Sequence, residues 1–310
     1  MNNSDFRSET DALLKGIILR GIGGFYYVET AKGIIECKPR GIFRKNKLKP
    51  VAGDVCYISL ENAQNQNGTI EKIEERKNFL LRPPVANVDC IYFVVSIKEP
   101  APNLTILDRL IAIAEFKDIE PVIVITKNDL SDDNDVADEI YGIYSRAGFD
   151  VYVIDYDNLS SVNALKSSMA GKLSIFCGNS GVGKSTLLNA IDHRLDITTS
   201  EISQKLGRGR HTTRDVFLYP LDAGGYIADT PGFSTIEVGR FDVILKDQVQ
   251  YCFREFDKYL GKCQFIDCLH TVEKGCAILN ALEKGEISYE RHKNYVAMVE
   301  EAKKINEWEL

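Results

Sequence analysis

Gly178-Asn179-Ser180-Gly181-Val182-Gly183-Lys184-Ser185 decides how the rest of the chain is read. It follows Leu173-Ser174-Ile175-Phe176-Cys177, an apolar run that reads as a buried strand, and it leads into Thr186-Leu187-Leu188-Asn189-Ala190-Ile191, which reads as the start of a helix. Strand, glycine-rich turn and helix form the context of a phosphate-binding loop. The glycines let successive backbone N–H groups point inward, and the helix N-terminus adds free N–H groups and the positive end of its dipole. A polyphosphate is expected there, held from Gly178 to Thr186. Lys184 then reaches the outer phosphates as a compact cation, and the Ser185 hydroxyl ligates the magnesium ion that bridges them.

Upstream of this loop, strands alternate with helices. Residues 89–96 are a near-continuous apolar run of the kind buried on both faces. Residues 105–116 carry Ile106, Leu110 and Ile113 at helical spacing, and Thr105 with Asp108 resembles a capping box. Residues 121–125 read as a second buried strand; Val136, Ile140 and Ile143 mark a helix ending at Gly148, and residues 151–154 a third strand. This alternation predicts a parallel sheet with right-handed crossovers, an α/β nucleotide-binding architecture. Thr126-Lys127-Asn128-Asp129 lies at the end of the second strand, where open α/β sheets bind ligands. A carboxylate there accepts two hydrogen bonds from the N1–H and N2–H₂ edge of guanine, and adenine offers no such paired donors.

Downstream, residues 200–214 hold no clear period and are rich in Gly, Arg and Thr, which predicts a mobile loop near the phosphates. Residues 216–220 and 226–229 then read as a strand pair. Asp229-Thr230-Pro231-Gly232 closes the second of these; Asp229 is placed to hold magnesium, and the Gly232 N–H to sense the terminal phosphate.

The flanks differ in kind. Residues 14–19, 25–30, 33–38, 54–60 and 68–73 are short β-type runs separated by glycine, asparagine or basic turns, which predicts a small barrel over residues 1–81. An OB-type barrel would present a loop with Arg40-Gly41-Ile42-Phe43-Arg44-Lys45, basic groups around an aromatic that suit phosphate contact and base stacking. Arg82-Pro83-Pro84 reads as an extended linker, and residues 82–240 as the nucleotide domain. Residues 241–310 read as helical around Cys263, Cys268, His270 and Cys276. Three thiolates and an imidazole complete a closed tetrahedral shell, so a structural zinc ion is expected, with nearby Cys252 as a competing ligand. The remaining cysteines, Cys37, Cys56, Cys90 and Cys177, are scattered and read as buried hydrophobes in a reducing compartment.

At 310 residues the chain has room for two or three domains, and a net charge of −7 argues against coating nucleic acid through overall charge. Basic groups instead crowd at Arg40, Arg44, Lys45, Lys47 and Lys49. No apolar run approaches a membrane span and no signal-peptide pattern opens the chain, so a soluble cytosolic protein without a membrane partner is expected.

The base-reading and phosphate motifs are those of GTPases, but their order is permuted: Thr126–Asp129 precedes the phosphate loop, which precedes Asp229–Gly232. A basic small barrel, a circularly permuted GTPase domain and a Cys3His knot together strongly resemble the family of ribosome small-subunit biogenesis GTPases known as RsgA or YjeQ, over nearly the whole chain. The resemblance implies a monomeric GTP hydrolase stimulated by the small (30S) ribosomal subunit and acting late in its assembly, with rRNA contacts from the barrel and the zinc domain. It also implies that residues 207–214 are the first switch, that Thr212 or Thr213 meets magnesium, and that His211 is the catalytic candidate beside Lys184 and Gly232. Two positions depart from the common pattern. Phe233 stands where many GTPases place a water-orienting glutamine, which predicts slow intrinsic hydrolysis, and Thr126 replaces a commoner asparagine, which predicts a weakened structural hydrogen bond. The alternative function is an RNA-binding assembly protein whose GTP site is structural and never turns over.

Overall fold

Five short strands whose alternate residues are apolar roll into a closed barrel. They are β1 (Leu14–Ile22), β2 (Phe25–Thr30), β3 (Gly33–Pro39), β4 (Val55–Leu60) and β5 (Asn67–Ile73), joined in the order β1-β2-β3-β5-β4. Gly23 and Gly24 both take positive φ (59° and 88°), so β1 and β2 meet through the tight turn that right-handed strand twist favours. Ile18, Val28, Ile35, Cys37, Cys56, Ile58 and Ile70 fill the interior. The computed structural model describes residues 13–45, 48–60, 67–130, 135–194, 216–229 and 243–305.

The barrel corrects two expectations. The stretch between β3 and β4 is not a plain loop, because residues Gly41–Lys45 form one turn of helix, α1. Phe43 from this turn is buried in the barrel core, so it plugs the barrel instead of offering a face to a base. Nor is Arg82-Pro83-Pro84 an extended linker. It sits at the tip of a two-stranded hairpin, β6 (Phe79–Leu81) with β7 (Pro84–Ala86), because neighbouring backbone groups find partners within the barrel unit. The Ala86 N–H donates to the Ala52 carbonyl (2.9 Å), and the Asn78 side-chain amide both donates to and accepts from the backbone of Val88 (2.8 and 2.9 Å). Below it, fully buried Asp54 takes a two-pronged bond from Arg76 (2.7 and 2.9 Å).

The second compact unit begins at Asp89. Its strands are β8 (Cys90–Ser96), β9 (Glu120–Thr126), β10 (Asp150–Val153) and β11 (Leu173–Cys177), with β8, β9, β10 and β11 in parallel register as the βα alternation requires. With β12 (Phe217–Pro220) and β13 (Tyr226–Asp229) the sheet order is β10-β9-β8-β11-β13-β12. Crossovers run through α2 (Leu104–Phe116), α3 (Asp135–Arg146) and α4 (Leu159–Ser168), and α5 (Lys184–Ile191) follows β11. The sequence reading missed α4, whose Leu-Ser-Ser-Val-Asn-Ala-Leu-Lys-Ser-Ser carries too few apolar positions for a clear period and is set by the Asn158 cap, which accepts from the Ser160 N–H (3.1 Å). The capping box at Thr105 and Asp108 is also corrected. Asn103 caps α2 by accepting from the Ile106 N–H (3.0 Å), and Asp108 faces inward.

What Asp108 faces is a buried cation. The C-terminal segment has little regular structure before α6 (Ala277–Glu283) and α7 (Tyr289–Ala302). From α7, fully buried Arg291 makes a two-pronged bond to Glu255 (2.8 Å each) and a third bond to Asp108 of α2 (2.8 Å). Asp108 also accepts from the Tyr144 hydroxyl (2.8 Å) and the Asn294 amide (2.6 Å), and Thr105 donates to Asn294 (2.9 Å). Burial works against the arginine charge, but Glu255 and Asp108 outweigh it and hold the guanidinium above the ordinary arginine value. The Phe253 ring lies 4.6 Å from the guanidinium and completes a lining of aromatic groups. Removing the cation leaves two buried carboxylates without a counter-charge. Arg291→Met is therefore expected to lower the unfolding free energy by about 3–5 kcal/mol, and an unchanged urea midpoint would show the network to be inessential.

Candidate functional site

The glycine-rich turn leaves β11 under tight steric constraint. A Cβ on Gly178 would lie 2.5 Å from the Val94 carbonyl, so only glycine lets the backbone pass β8 this closely. Gly183, at φ 93°, is the N-terminal cap of α5 in a left-handed conformation. Ser185 and Thr186 stand exposed in the first turn of α5. Lys184 is half-buried and folds back over the turn, donating to the Asn179 carbonyl (3.0 Å) and to the Gly178 carbonyl. Burial pushes its ammonium below the usual lysine range, with Cys177 acting weakly the other way. Cys177 lies directly beneath, and burial pushes its thiol up to about 12, so it behaves as a small hydrophobe. Cys37, Cys56, Cys90 and Cys252 are likewise buried and free of disulfides.

The end of β9 reaches this turn. The Thr126 hydroxyl donates to the Val182 carbonyl (2.6 Å), with the Val95 carbonyl of β8 at 3.3 Å. At this position threonine makes the tie with its own hydroxyl. Lys127 takes positive φ (60°) and its ammonium donates to the Glu99 carbonyl. The following turn, Asn128–Leu130, carries Asp129 exposed at the surface. The structure thus brings Thr126–Asp129 and Gly178–Thr186 into one neighbourhood. Asp229 ends β13. His211, Thr212, Thr213 and Gly232 lie outside the described residues.

A second cluster forms in the C-terminal segment. The donor atoms of Cys263, Cys268, His270 and Cys276 all lie within 4.8 Å of one another. The Cys263 and Cys276 sulfurs are 3.8 Å apart, and each is 3.4 Å from His270 Nδ1. A tetrahedral ion with ligands near 2.3 Å requires edges of about 3.8 Å between sulfurs, so the donor set fits a zinc-sized ion. Cys252 is not in the group; its thiol donates to the Gln248 carbonyl instead (3.6 Å). Burial holds the His270 imidazole below the usual histidine range, against the pull of Glu273, which keeps it in the neutral form a metal needs.

The shell behind these ligands was not legible in their spacing. His270 Nε2 meets Gln250 Oε1 (2.9 Å), which leaves Nδ1 facing the sulfurs. The Glu273 carboxylate gathers the N–H groups of Leu269 (3.1 Å), Thr271 (2.8 Å) and Val272 (3.0 Å) and so shapes the ligand loop. Burial raises its pKa, but those backbone bonds outweigh it and hold the carboxyl below the usual range. An acidic residue set among metal ligands was the one available signal, and Gln250 offered none.

Comparison with known proteins agrees with these features. A family model described as RsgA GTPase matches residues 73–239, and one described as RsgA N-terminal domain matches residues 15–70. The small ribosomal subunit biogenesis GTPase RsgA of Caldanaerobacter subterraneus subsp. tengcongensis is 42% identical over 290 residues, covering 94% of this chain and 96% of the relative. The protein of the same name from Bacillus subtilis is 41% identical, covering 93% and 97%. Among solved structures, YjeQ from Thermotoga maritima superposes with a TM-score of 0.81 at 34% identity over 95% of this chain and 100% of that one. YloQ, described as a circularly permuted GTPase, gives 0.78 at 35% identity over 96% and 98%.

The bond between the two loops makes a separate claim on stability. Thr126→Val keeps the side-chain shape and deletes the donor, so it should lower the unfolding free energy by about 1–2 kcal/mol by leaving the Val182 carbonyl unsatisfied. Urea denaturation measures this, and an unchanged midpoint would remove the tie from the account.

Proposed function

This chain belongs to the RsgA GTPase family, whose members are GTP-hydrolysing enzymes, and from that premise we propose that it matures the small ribosomal subunit and hydrolyses GTP when the subunit engages it. The observation that carries the reading is the tie from Thr126 to Val182, which joins a guanine-reading turn to a phosphate-binding turn. Asp129 would accept from the paired N–H edge of guanine. The backbone N–H groups of residues 178–183 and the start of α5 would receive the phosphates, and Lys184 would turn from the Gly178 and Asn179 carbonyls to the outer phosphates. Charge developing on the transferred phosphoryl group is then met by fixed donors instead of reorganising water.

Ser185 and Asp229, with Thr212 or Thr213, would hold a magnesium ion, which would supply positive charge to the phosphates. The exposed position of Ser185 in the first turn of α5 supports that placement. His211 is the proposed group for orienting water, because the Phe233 side chain has no polar atom to do so, and Gly232 is the proposed sensor of the terminal phosphate. Cys263, Cys268, His270 and Cys276 would hold one structural zinc ion, a role that four protein ligands and no open position support. Among the described residues no helix is long and apolar enough to cross a membrane.

The proposed rRNA contacts start from cation and aromatic pairs on the barrel, Arg20 with Tyr27 (4.5 Å) and Lys38 with Phe25 (5.0 Å). Arg40 is bound to Glu71 (2.9 Å), so it brings less free charge to such a surface than its place in the basic stretch suggests.

Purified protein should hydrolyse GTP slowly and accelerate by about tenfold or more on addition of small subunits, with Lys184→Ala inactive in both conditions. Subunit binding without any turnover in the wild type would favour the reading as an assembly protein with a structural nucleotide. Metal analysis should return one zinc per chain, lost in Cys268→Ser together with cooperative melting of the C-terminal segment; a zinc-free, equally stable native protein would refute the structural ion.

A further inference from the structure

A buried hydroxyl stands beside the proposed base-reading turn without a partner. Strands β9 and β10 run in parallel register with Ile125 opposite Val153, and the Ile154 N–H donates to the Ile125 carbonyl (2.8 Å). The chain leaving β10 therefore passes at the height where Thr126–Asp129 leaves β9. That exit is held by its own bonds. The Asp155 N–H donates to the Ser161 hydroxyl oxygen (3.1 Å), and the Asp157 N–H to the Asp155 carboxylate (2.9 Å).

Tyr156 is the centre of this pinned turn. Its ring packs on the core cluster that includes Val124, Val182 and Leu187, so β9, the phosphate turn and α5 all contribute to the cluster it joins. Its hydroxyl is shut off from solvent and has no hydrogen-bond partner among the described residues. Such a group is destabilising, and phenylalanine would pack the same ring without it. Burial and then the charge of Asp129 hold the phenol above the usual tyrosine value, so it keeps its proton and feels the Asp129 carboxylate.

We propose that Tyr156 is a positioning residue for guanine recognition, its hydroxyl donating to the Asp129 carboxylate when that carboxylate grips the N1–H and N2–H₂ edge of the purine. The inference rests on Asp129 as the base reader. A carboxylate has lone pairs enough for two guanine donors and a third, and the third fixes which way its plane faces. The unpartnered hydroxyl is then satisfied in the nucleotide-bound arrangement, so its desolvation favours that arrangement over the free one.

Tyr156→Phe removes the hydroxyl alone. With GDP and inosine diphosphate as probes, the Kd for GDP should rise about five- to tenfold. The preference for GDP over inosine diphosphate should narrow, because guanine places two bonds on the carboxylate and hypoxanthine one, while Tm stays equal or rises. Unchanged GDP affinity and base preference would overturn the proposal. Asp129→Ala separates this from the parent reading: if that variant binds GDP as wild type does, Asp129 is not the base reader, and both fall. If Asp129→Ala weakens GDP but Tyr156→Phe does not, only the role of Tyr156 falls. The double variant should bind GDP no worse than Asp129→Ala. An equal further loss in that background, whatever the Tm of Tyr156→Phe, would mean that the hydroxyl acts through packing and would overturn the proposal.

Discussion

The candidate site depends on one hydroxyl that spans an intervening strand. Strand β8 lies between β9 and β11, so the turn after β9 and the turn after β11 come from strands that are not neighbours. Thr126 closes that gap: its side chain lies within reach of the Val95 carbonyl on β8 and bonds the Val182 carbonyl beyond it. Close passage of Gly178 over Val94 brings the phosphate turn low enough to be reached. With parallel strands spaced by their ladders, neither a shorter side chain at residue 126 nor a Cβ at residue 178 would allow the two turns to touch.

A different constraint orders the C-terminal segment. Few backbone bonds of regular structure exist between residues 243 and 276, so charge, donor chemistry and rings take their place. Arg291 binds Glu255 and Asp108, the Cys3His group gathers the stretch from Cys263 to Cys276 around one point, and Phe253, Phe256 and Tyr295 pack with centroids 4.8–5.4 Å apart. A buried ion pair is a costly way to join surfaces, but it admits a single geometry. Hydrophobic packing alone would tolerate sliding.

The sequence carried most of the fold because its periods are clean. All five barrel strands and the buried strands β8, β9 and β11 fall within a few residues of the pattern of alternating or continuous apolar positions. What it hid was long-range or context-dependent. Arg291 finds Glu255 at a separation of 36 residues and Asp108 at 183, and no local pattern encodes such distances. Phe43 looked like a stacking platform because basic residues surround it, yet a single helical turn points it into the barrel. The prolines at 83 and 84 suggested a break, and the ladder from Phe79 to Ala86 closed around them. Of the candidate site, the residue types and the spacing of the ligands were legible; the partners that orient them, Gln250 and Glu273, were not.

Helix α2 takes part in both halves of this account. Its first turn follows the 96–103 stretch, whose Ser96, Pro100 and Asn103 line one cleft with Gly178 and Asn179 of the phosphate turn. Along the same helix, Thr105 and Asp108 are clamped to Asn294 and Arg291 of α7. In mechanical terms α2 is a beam whose near end borders the cleft beside the phosphate turn and whose span is pinned to α7. A displacement of about an ångström at that joint would pull charged partners off their bonds in a medium without water to replace them. A load carried by α7 would therefore reach α2 through those bonds, and with it one wall of the cleft that the phosphate turn shares.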